Sequence, residues 1–349
     1  MKTKRVFSFL LAVLLCSVGT VSLASCSGES AYNIPIVCGE TGMNDQCGVA
    51  TYGVNYYSLG VKAGDMAADI LLEGADPATT PVQMDPNPAL SINEEVAAEI
   101  GFTIPDAIKN RVSGNSETET VTRVTSAIVE ADADFTVGIL QLMPHVALDQ
   151  ANTGFQDQLS VRMNEAGKTV KILNQNASGE QSNNTTIAAT FVGQGVDLIY
   201  TIATSSSQAA AEATADTDIP VLFNAVTDPV DAGLVESMEA PGGNVTGVSD
   251  INPVDKQIEL IGELLGKDDV KIGLLYTSAE TNSVFQINMA KKQCEESGFT
   301  YVDKGIGDAN DIQSAFIALK AEGVDAIYIP TDNVLANGSA TVHAINIGE

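Results

Sequence analysis

The chain has 349 residues, 44% of them hydrophobic and 18% charged, which is enough for two domains with buried cores and argues against a disordered tail protein. Its formal net charge of −28 would repel the phosphate backbone of nucleic acids. It has two histidines, five cysteines and no CxxC or HExxH spacing, so we expect no metal site and no cofactor.

The first thirty residues predict export. Lys2, Lys4 and Arg5 precede an apolar run at residues 6–15 that is too short for a stable membrane span, a pattern typical of a signal peptide. The following letters LASC end at Cys26 and resemble the lipobox of bacterial lipoproteins. We therefore predict a signal peptide at residues 1–25, acylation of Cys26 and a polar tether at residues 26–30. An ordinary cleavage site that happens to precede a cysteine is the alternative.

Residues 31–112 contain a small set of predicted elements: buried strands at 34–38 and 49–54, and helices at 57–72 and 91–100. Cys38 and Cys47 lie nine positions apart in an exported chain, so a disulfide between them is left open. Cys294 falls in a helical pattern and is interpreted as a packed thiol. The letters SGNSETET at residues 113–120 have the composition of a flexible linker.

From residue 135 onward, short β-branched runs alternate with helix-length segments, which is the pattern of a parallel sheet covered by helices. The first set has strands at 135–142, 170–175, 197–203 and 221–226 and helices at 147–166, 183–194 and 206–215. A turn-rich break, PGGN, begins at Pro241. The second set has strands at 271–276, 300–304 and 325–329 and helices at 283–297 and 312–321. The second set lacks the outer strands of a complete lobe.

Five motifs carry a resemblance to a known family: GILQ from Gly138, HVALD from His145, VTDP from Val226, PGGNVTGVS from Pro241 and YIPTDN from Tyr328. With these motifs the chain resembles the substrate-binding lipoproteins of ABC importers, in the branch of tryptophan and tyrosine binders. The resemblance implies an α/β fold of two Rossmann-like lobes around a hinge and cleft, the type I periplasmic-binding-protein fold. It also implies a non-enzyme that closes on a small ligand, with an amino acid favoured and an aromatic one preferred, and an ABC permease as its partner.

Two other functions remain as alternatives. An exported α/β hydrolase would need a GxSxG nucleophile elbow, and the sequence has none. A ligand-sensing module at the cell surface would share the fold of a transport protein, so the sequence does not separate these two roles.

The order of segments differs from that of the family, in which a stretch like residues 34–57 follows the PTDN strand. We therefore predict a circularly permuted chain. Residues 31–112 would complete the second lobe, with the helix near 57–72 in the first lobe. Residues 113–120 would link the two ends of the family's usual chain order. Residues 121–240 would form the first lobe and residues 241–349 the second. An independent small domain at 31–112, or a misordered gene assembly, are the alternatives.

Candidate binding residues follow the predicted strand ends, because ligands of open α/β sheets bind beyond the carboxyl ends of the strands. They are Gln141, His145, Thr204, Ser205, Asp228, Ser278, Asn282 and Asp332, with Glu40 and Asn55 added by the permutation. A ligand carboxylate would suit the Ser/Thr-bearing helix starts, and a ligand ammonium would need Asp332 or Asp228. Tyr56, Leu142 or Met143 would supply the wall for an aromatic ring.

Several of these candidates have a structural alternative. Ser205 and Ser278 have the positions of ordinary N-caps. Asp228 precedes a proline, as in many turns, and His145 would either stack on a ligand or begin a helix. The family often has Asp where Asn55 stands, which weakens the case for a charge at this position.

Overall fold

A computed structural model describes residues 31–85, 87–112 and 120–348. The predicted signal peptide, the tether with Cys26 and most of the predicted linker lie outside the described residues. Within them, no helix is both long enough and apolar enough to cross a bilayer.

Twelve strands form two six-stranded sheets in the described part of the chain. The strands are β1 (Ile36–Cys38), β2 (Ala50–Gly53), β3 (Gln83–Met84), β4 (Ala89–Ile92), β5 (Phe135–Gln141), β6 (Val170–Asn176), β7 (Leu198–Ile202), β8 (Val221–Val226), β9 (Val245–Ser249), β10 (Lys271–Thr277), β11 (Thr300–Ile306) and β12 (Ala326–Ile329). The lobe-one sheet has the order β3-β9-β8-β7-β5-β6, and the lobe-two sheet has the order β11-β10-β12-β1-β2-β4. All pairings are parallel except that of β2 with the edge strand β4.

The described helices cover the faces of the two sheets. They are α1 (Thr41–Cys47), α2 (Tyr56–Ala68), α3 (Glu94–Glu99), α4 (Asp106–Lys109), α5 (Val146–Glu165), α6 (Gln181–Gln194), α7 (Thr204–Thr214), α8 (Val254–Leu265), α9 (Thr281–Ser297), α10 (Ile312–Ala321), α11 (Asn333–Asn337) and α12 (Ser339–Ile347). A π-helical turn, Asp69–Glu73, continues α2. The predicted α/β fold is confirmed.

Successive side chains along each strand point to opposite faces of the sheet, and both faces are buried. In β7, Leu198 and Tyr200 point to one apolar cluster, while Ile199 points to another on the opposite face. In β1, Val37 packs in one apolar cluster of lobe two, and Ile36 packs in another on the opposite face. Nearly continuous apolar strands are therefore required, because helices cover both sides of a parallel sheet.

The first strand of the chain completes the sheet that contains the last strand. Residues Ile36 to Cys38 pair in parallel with Ile327 to Ile329 of β12, as the sequence analysis expected for this segment. The two ends of the described chain also meet, because the backbone N–H groups of Tyr32 and Asn33 both donate to the carbonyl of Asn346 at 2.8 and 2.9 Å. Residues 31–112 are thus built into both lobes and share sheets with them.

Helix α2 belongs to lobe one, where it lies against α5 at very short range. A Cβ atom added to Gly60 would lie 2.2 Å from the carbonyl oxygen of Ala151, and one added to Gly154 would lie 2.2 Å from that of Tyr57. Glycine at these positions lets the two backbones approach this closely. Helix α2 therefore fixes residues 56–68 to lobe one, although the strand before it belongs to lobe two.

The chain passes between the lobes at three described connections: from β2 to α2, from β3 to β4, and from β9 to α8. We expected lobe two to begin at Pro241, but this boundary is too early, because β9 (Val245–Ser249) pairs with β8 in lobe one. The predicted helix at residues 91–100 is also corrected. Its first residues form the edge strand β4, and α3 begins only at Glu94 after the cap Asn93.

Candidate functional site

The carboxyl ends of the strands from both sheets meet around one cavity between the lobes. Glu40 follows β1, and Thr331 to Asn333 follow β12, both in lobe two. Ala225 and Thr227 stand at the end of β8 in lobe one. Asp250 directly follows β9, on the connection between the lobes. This is the position at which open α/β sheets bind ligands.

The cavity has about 290 Å³ of space between its atoms, part of which is open to the solvent. Its wall consists of Glu40, Tyr56, His145, Leu148, Ala225, Thr227, Asp250, Asn282, Thr331, Asp332, Asn333 and Ala336. Three of these described wall residues are carboxylic acids, and none is lysine or arginine. Any positive charge that balances the acids must therefore come from a bound ligand or from a proton.

Glu40 is buried at the cavity wall, with 1% of its surface exposed. It caps α1, and its two carboxylate oxygens accept hydrogen bonds from the N–H groups of Gly42 (2.6 Å) and Met43 (2.5 Å). Burial raises its pKa to about 7 despite these two bonds, and the nearby acids Asp45 and Asp250 add to the rise. This acid therefore changes charge near neutral pH.

Asp250 and Tyr56 form a second buried pair on the wall. The Tyr56 hydroxyl donates to one carboxylate oxygen of Asp250 at 2.7 Å, and the Thr227 hydroxyl donates to the other at 3.3 Å. Burial raises the pKa of Asp250 above its ordinary value. Tyr56 lies at the start of α2, so this hydrogen bond joins lobe one to the connection between the lobes.

Asp332 also lines the cavity, but its oxygens are already occupied. They accept hydrogen bonds from the N–H and hydroxyl of Thr277 (2.6 and 2.9 Å), the hydroxyl of Ser283 (2.8 Å) and the N–H of Leu335 (2.9 Å). An ionised carboxylate offers about four lone-pair positions, so this set fills them. Asp332 thereby ties α9, α11 and β10 together. Its predicted contact with a ligand stays a prediction.

Two hydrogen bonds close the cleft from one lobe to the other. His145, at the start of α5, has its Nε2 atom 3.3 Å from Oδ1 of Asn333. Gln286 of α9 donates to the Thr227 hydroxyl at 3.5 Å. Burial lowers the pKa of His145, which favours the neutral ring at neutral pH. The two lobes therefore contact each other directly across the cleft.

A buried acid supports the lobe-two side of this closure. Glu280 accepts hydrogen bonds from the backbone and side-chain N–H groups of Asn333, both at 3.0 Å. Burial, with Asp332 beside it, raises the pKa of Glu280 to about 7. Asn282 lines the cavity and donates to the Thr331 carbonyl at 3.0 Å. These contacts orient the wall of lobe two.

Of the ten predicted binding residues, four line this cavity: Glu40, His145, Asn282 and Asp332. Thr204 and Asp228 line a smaller pocket beside it, which Asn282 also borders. Ser278 lies at the mouth of the cleft and donates to the Ile306 carbonyl at 3.0 Å. Each of these placements is a position only, and the contacts with a ligand remain predictions.

The other predicted residues lie outside the walls of these pockets. Gln141 donates to Asp149 at 2.7 Å and accepts from Asn152 at 2.8 Å. Asn55 caps α2 by accepting from the Ser58 N–H at 2.9 Å, and Ser205 lies in the first turn of α7. Of the three predicted wall residues for an aromatic ring, Tyr56 lines the cavity, whereas Leu142 and Met143 belong to the lobe-one core.

Sequence reasoning missed Asp250. The signal was present, because Asp250 directly follows the motif residues Val245 to Ser249, but only the preceding PGGN was interpreted, as a turn, and no strand was assigned to residues 245–249. The two cysteines left open by the sequence analysis are both buried, with their sulfur atoms 3.9 Å apart. This distance is longer than a disulfide bond.

Comparison with known proteins gives one matching family, described as ABC transporter substrate binding protein. Its sequence model matches residues 22–114 and 136–347 of the chain, in two separate stretches. Among curated relatives, the Tyrosine-binding protein of Clostridioides difficile (strain R20291) is 40% identical over 209 residues. That alignment covers 60% of this chain and 59% of the relative, so the chain spans less than two thirds of that relative's length.

Two solved structures match a similar share of this chain. The first is the crystal structure of an ABC domain in complex with L-Trp from Streptococcus pneumonia, with 40% identity and a TM-score of 0.55 over 60% of this chain and 70% of that one. The second is a conserved domain protein from Vibrio cholerae O1 biovar eltor, with 35% identity and a TM-score of 0.55 over 61% of this chain and 71% of that one.

Proposed function

The chain belongs to the ABC transporter substrate binding protein family, and on this basis we propose that it captures a small solute between its two lobes and delivers it to an ABC permease. The observation that carries the proposal is the cavity at the facing strand ends, which has walls from both lobes and three buried acids, with no lysine or arginine among its described wall residues. A ligand held there contacts both lobes at once and stabilises the closed form.

The ligand class favoured for this cavity is an amino acid, and an aromatic one in particular. Two relatives at 40% identity are a tyrosine-binding protein and a domain in complex with L-Trp. The buried acids suit an ammonium group. Tyr56, Leu148, Ala225 and Ala336 add an aromatic ring and apolar surface to the same wall. For the carboxylate of the ligand we propose the start of α7, which has no side-chain cap and borders the neighbouring pocket at Thr204.

We place the mature protein outside the cytoplasm, anchored to the membrane through an acylated Cys26. The apolar run and lipobox of the first thirty residues support this placement. A lipid anchor would keep the binding protein close to its permease. Mass spectrometry of the mature N-terminus that shows an unmodified residue would refute the anchor.

We also propose that the chain order is a circular permutation of the family order. The family model matches two separate stretches, whereas the relatives align with only about 60% of the chain, as a permutation would cause. The parallel pairing of β1 with β12 supports the same proposal. So does the contact of Tyr32 and Asn33 with Asn346 at the two ends.

Tryptophan fluorescence tests the binding function directly. The protein contains no tryptophan, so added L-tryptophan is the only indole in the sample, and its emission shifts when the ring enters an apolar site. We expect a saturable shift that L-tyrosine or L-phenylalanine reverses by competition. Calorimetry that detects no binding of any aromatic amino acid would refute the ligand class.

A variant locates the binding in the cavity. Ala336→Phe places a ring at the cavity wall and is expected to block the emission shift, whereas Ala321→Phe, on an exposed position at the end of α10, is expected to leave it unchanged. Circular dichroism of both variants checks that they fold. Unchanged binding by a folded Ala336→Phe protein would place the site elsewhere.

A further inference from the structure

The cavity holds two buried carboxyl groups that have hydrogen-bonding capacity left, and this points to a specific role for them. We infer that Glu40 and Asp250 form the subsite for the ligand's amino group, and that an entering ammonium displaces a proton from this pair. Ligand binding is then coupled to proton release. The inference rests on the proposed function, because it assumes an amine ligand in this cavity.

The three acids of the cavity wall differ in how many hydrogen bonds their carboxyl oxygens already accept. Asp332 accepts four hydrogen bonds and has no lone-pair position left for an ammonium. Each oxygen of Glu40 accepts one backbone bond, and each oxygen of Asp250 accepts one hydroxyl bond. Glu40 and Asp250 accept fewer hydrogen bonds from side chains and other residues than Asp332 does, and so have acceptor positions for the N–H donors of an ammonium group.

Burial and mutual repulsion favour a proton on the pair when no ammonium is bound. Glu40 and Asp250 are 1% and 2% exposed, and the charge of Asp250 adds to the effect of burial in raising the pKa of Glu40. The other titratable groups that face the pair are Cys38, Asp45, Tyr56, His145 and Asp332. None of them is a lysine or arginine, and burial keeps His145 neutral near pH 7.

The exchange balances in atoms and charge. In the empty site one carboxyl group carries a proton; the ammonium of the ligand enters with its own three protons, the carboxylic O–H bond breaks, and that proton leaves to solvent. The resulting carboxylate then pairs with the ammonium. No bond of the ligand changes, and no other reactant is needed.

The direction of the pH dependence follows from this exchange. Burial holds the pKa of Glu40 at about 7 in the empty site, and the bound ammonium lowers it. A group whose pKa falls on binding makes the affinity rise with pH up to the pKa of the free site, by at most tenfold per pH unit. We therefore expect the affinity to rise up to about 100-fold from pH 5 to pH 7 and then to level off.

Calorimetry with L-tryptophan as the probe tests the coupling. Titrations of the protein at pH 5, 6, 7 and 8, each in two buffers of different ionisation enthalpy, give the affinity and the number of protons released. We expect close to one proton released at pH 6. Glu40→Gln is expected to lose both the proton release and the pH slope, while Glu165→Gln, an exposed acid at the end of α5, is expected to keep both.

A second variant keeps the test decisive if Glu40→Gln fails to fold. Asp250→Asn removes the other member of the pair and is expected to reduce the pH slope in the same way. Binding of tryptophan that is independent of pH and releases no proton overturns this inference and leaves the proposed function intact. The absence of any tryptophan binding from pH 5 to pH 8 overturns the proposed function itself.

Discussion

Replacing Asp332 by alanine tests whether this acid stabilises lobe two. The substitution leaves two buried backbone N–H donors, those of Thr277 and Leu335, without an acceptor. Each orphaned donor costs about 1–3 kcal/mol, and the hydroxyls of Thr277 and Ser283 also lose their partner. Removing a buried carboxyl group whose own burial is unfavourable offsets part of this cost. We expect a net loss of about 2–4 kcal/mol in the free energy of unfolding.

Urea denaturation of the ligand-free protein at pH 7 measures this loss. Asp308→Ala is the matched control, because Asp308 caps a short turn in the same lobe, accepts from the Asn310 N–H at 2.7 Å and is exposed. The control should lose at most about 1 kcal/mol. If Asp332→Ala has the stability of the unmodified protein but no longer binds tryptophan, the reasoning is refuted, and Asp332 is a ligand contact after all.

Three further predictions concern packing, pH and chain order. Gly154→Val should lower the free energy of unfolding, measured in urea, by about 1–3 kcal/mol, because the valine side chain would clash with the Tyr57 carbonyl. Gly193→Ala is the control and should have no such cost, because a Cβ atom there has no neighbour within 4 Å. Burial raises the pKa of Glu280 to about 7, so its stabilising effect relative to glutamine is complete below its ordinary pKa of about 4.5 and is lost as the pH rises to the folded pKa of about 7. From pH 5 to pH 8 the unmodified protein should lose about 2–3 kcal/mol more than Glu280→Gln in the free energy of unfolding. Parallel stability curves for the two proteins would contradict this. A chain that begins at Val121 and joins Gly348 directly to Tyr32 should fold and bind ligand, because Tyr32 already contacts Asn346; an unfolded circular dichroism spectrum would count against the permutation.

The sequence predicted the buried strands well because their signal is local. Strand β8 at residues 221–226 has the predicted bounds because an apolar run marks it directly. Helix α10 at residues 312–321 also has its predicted bounds, because helical periodicity marks it. Helix α1 (Thr41–Cys47) was missed because its polar letters carry no apolar periodicity; the Glu40 cap and burial of Cys47 define it. Strand β4 was merged with α3 because only its antiparallel pairing with β2 distinguishes the two.

The candidate site was predicted less completely than the fold, because side-chain contacts decide it. Asp332 and Glu40 were both chosen as strand-end acids, yet one has its acceptor positions filled and the other does not. No pattern of letters shows this difference, since three of the four bonds to Asp332 come from Thr277 and Ser283, which are 55 and 49 positions away. Asp250 needed the identification of β9, which contains a glycine and follows a turn-rich motif.

The site and the connections between the lobes are joined physically, and this explains how a bound ligand would favour closure. Asn252, on the connection from β9 to α8, accepts from the Val54 N–H at 3.0 Å on the neighbouring connection and donates to Thr331 at 3.2 Å on the cavity wall. Asp250 is two residues away on the same connection. An ammonium held between Asp250 and Glu40 therefore links this connection to the end of β1 in lobe two. Because β1 is held in its sheet by β12, the position of Glu40 depends on pairing between the two ends of the chain.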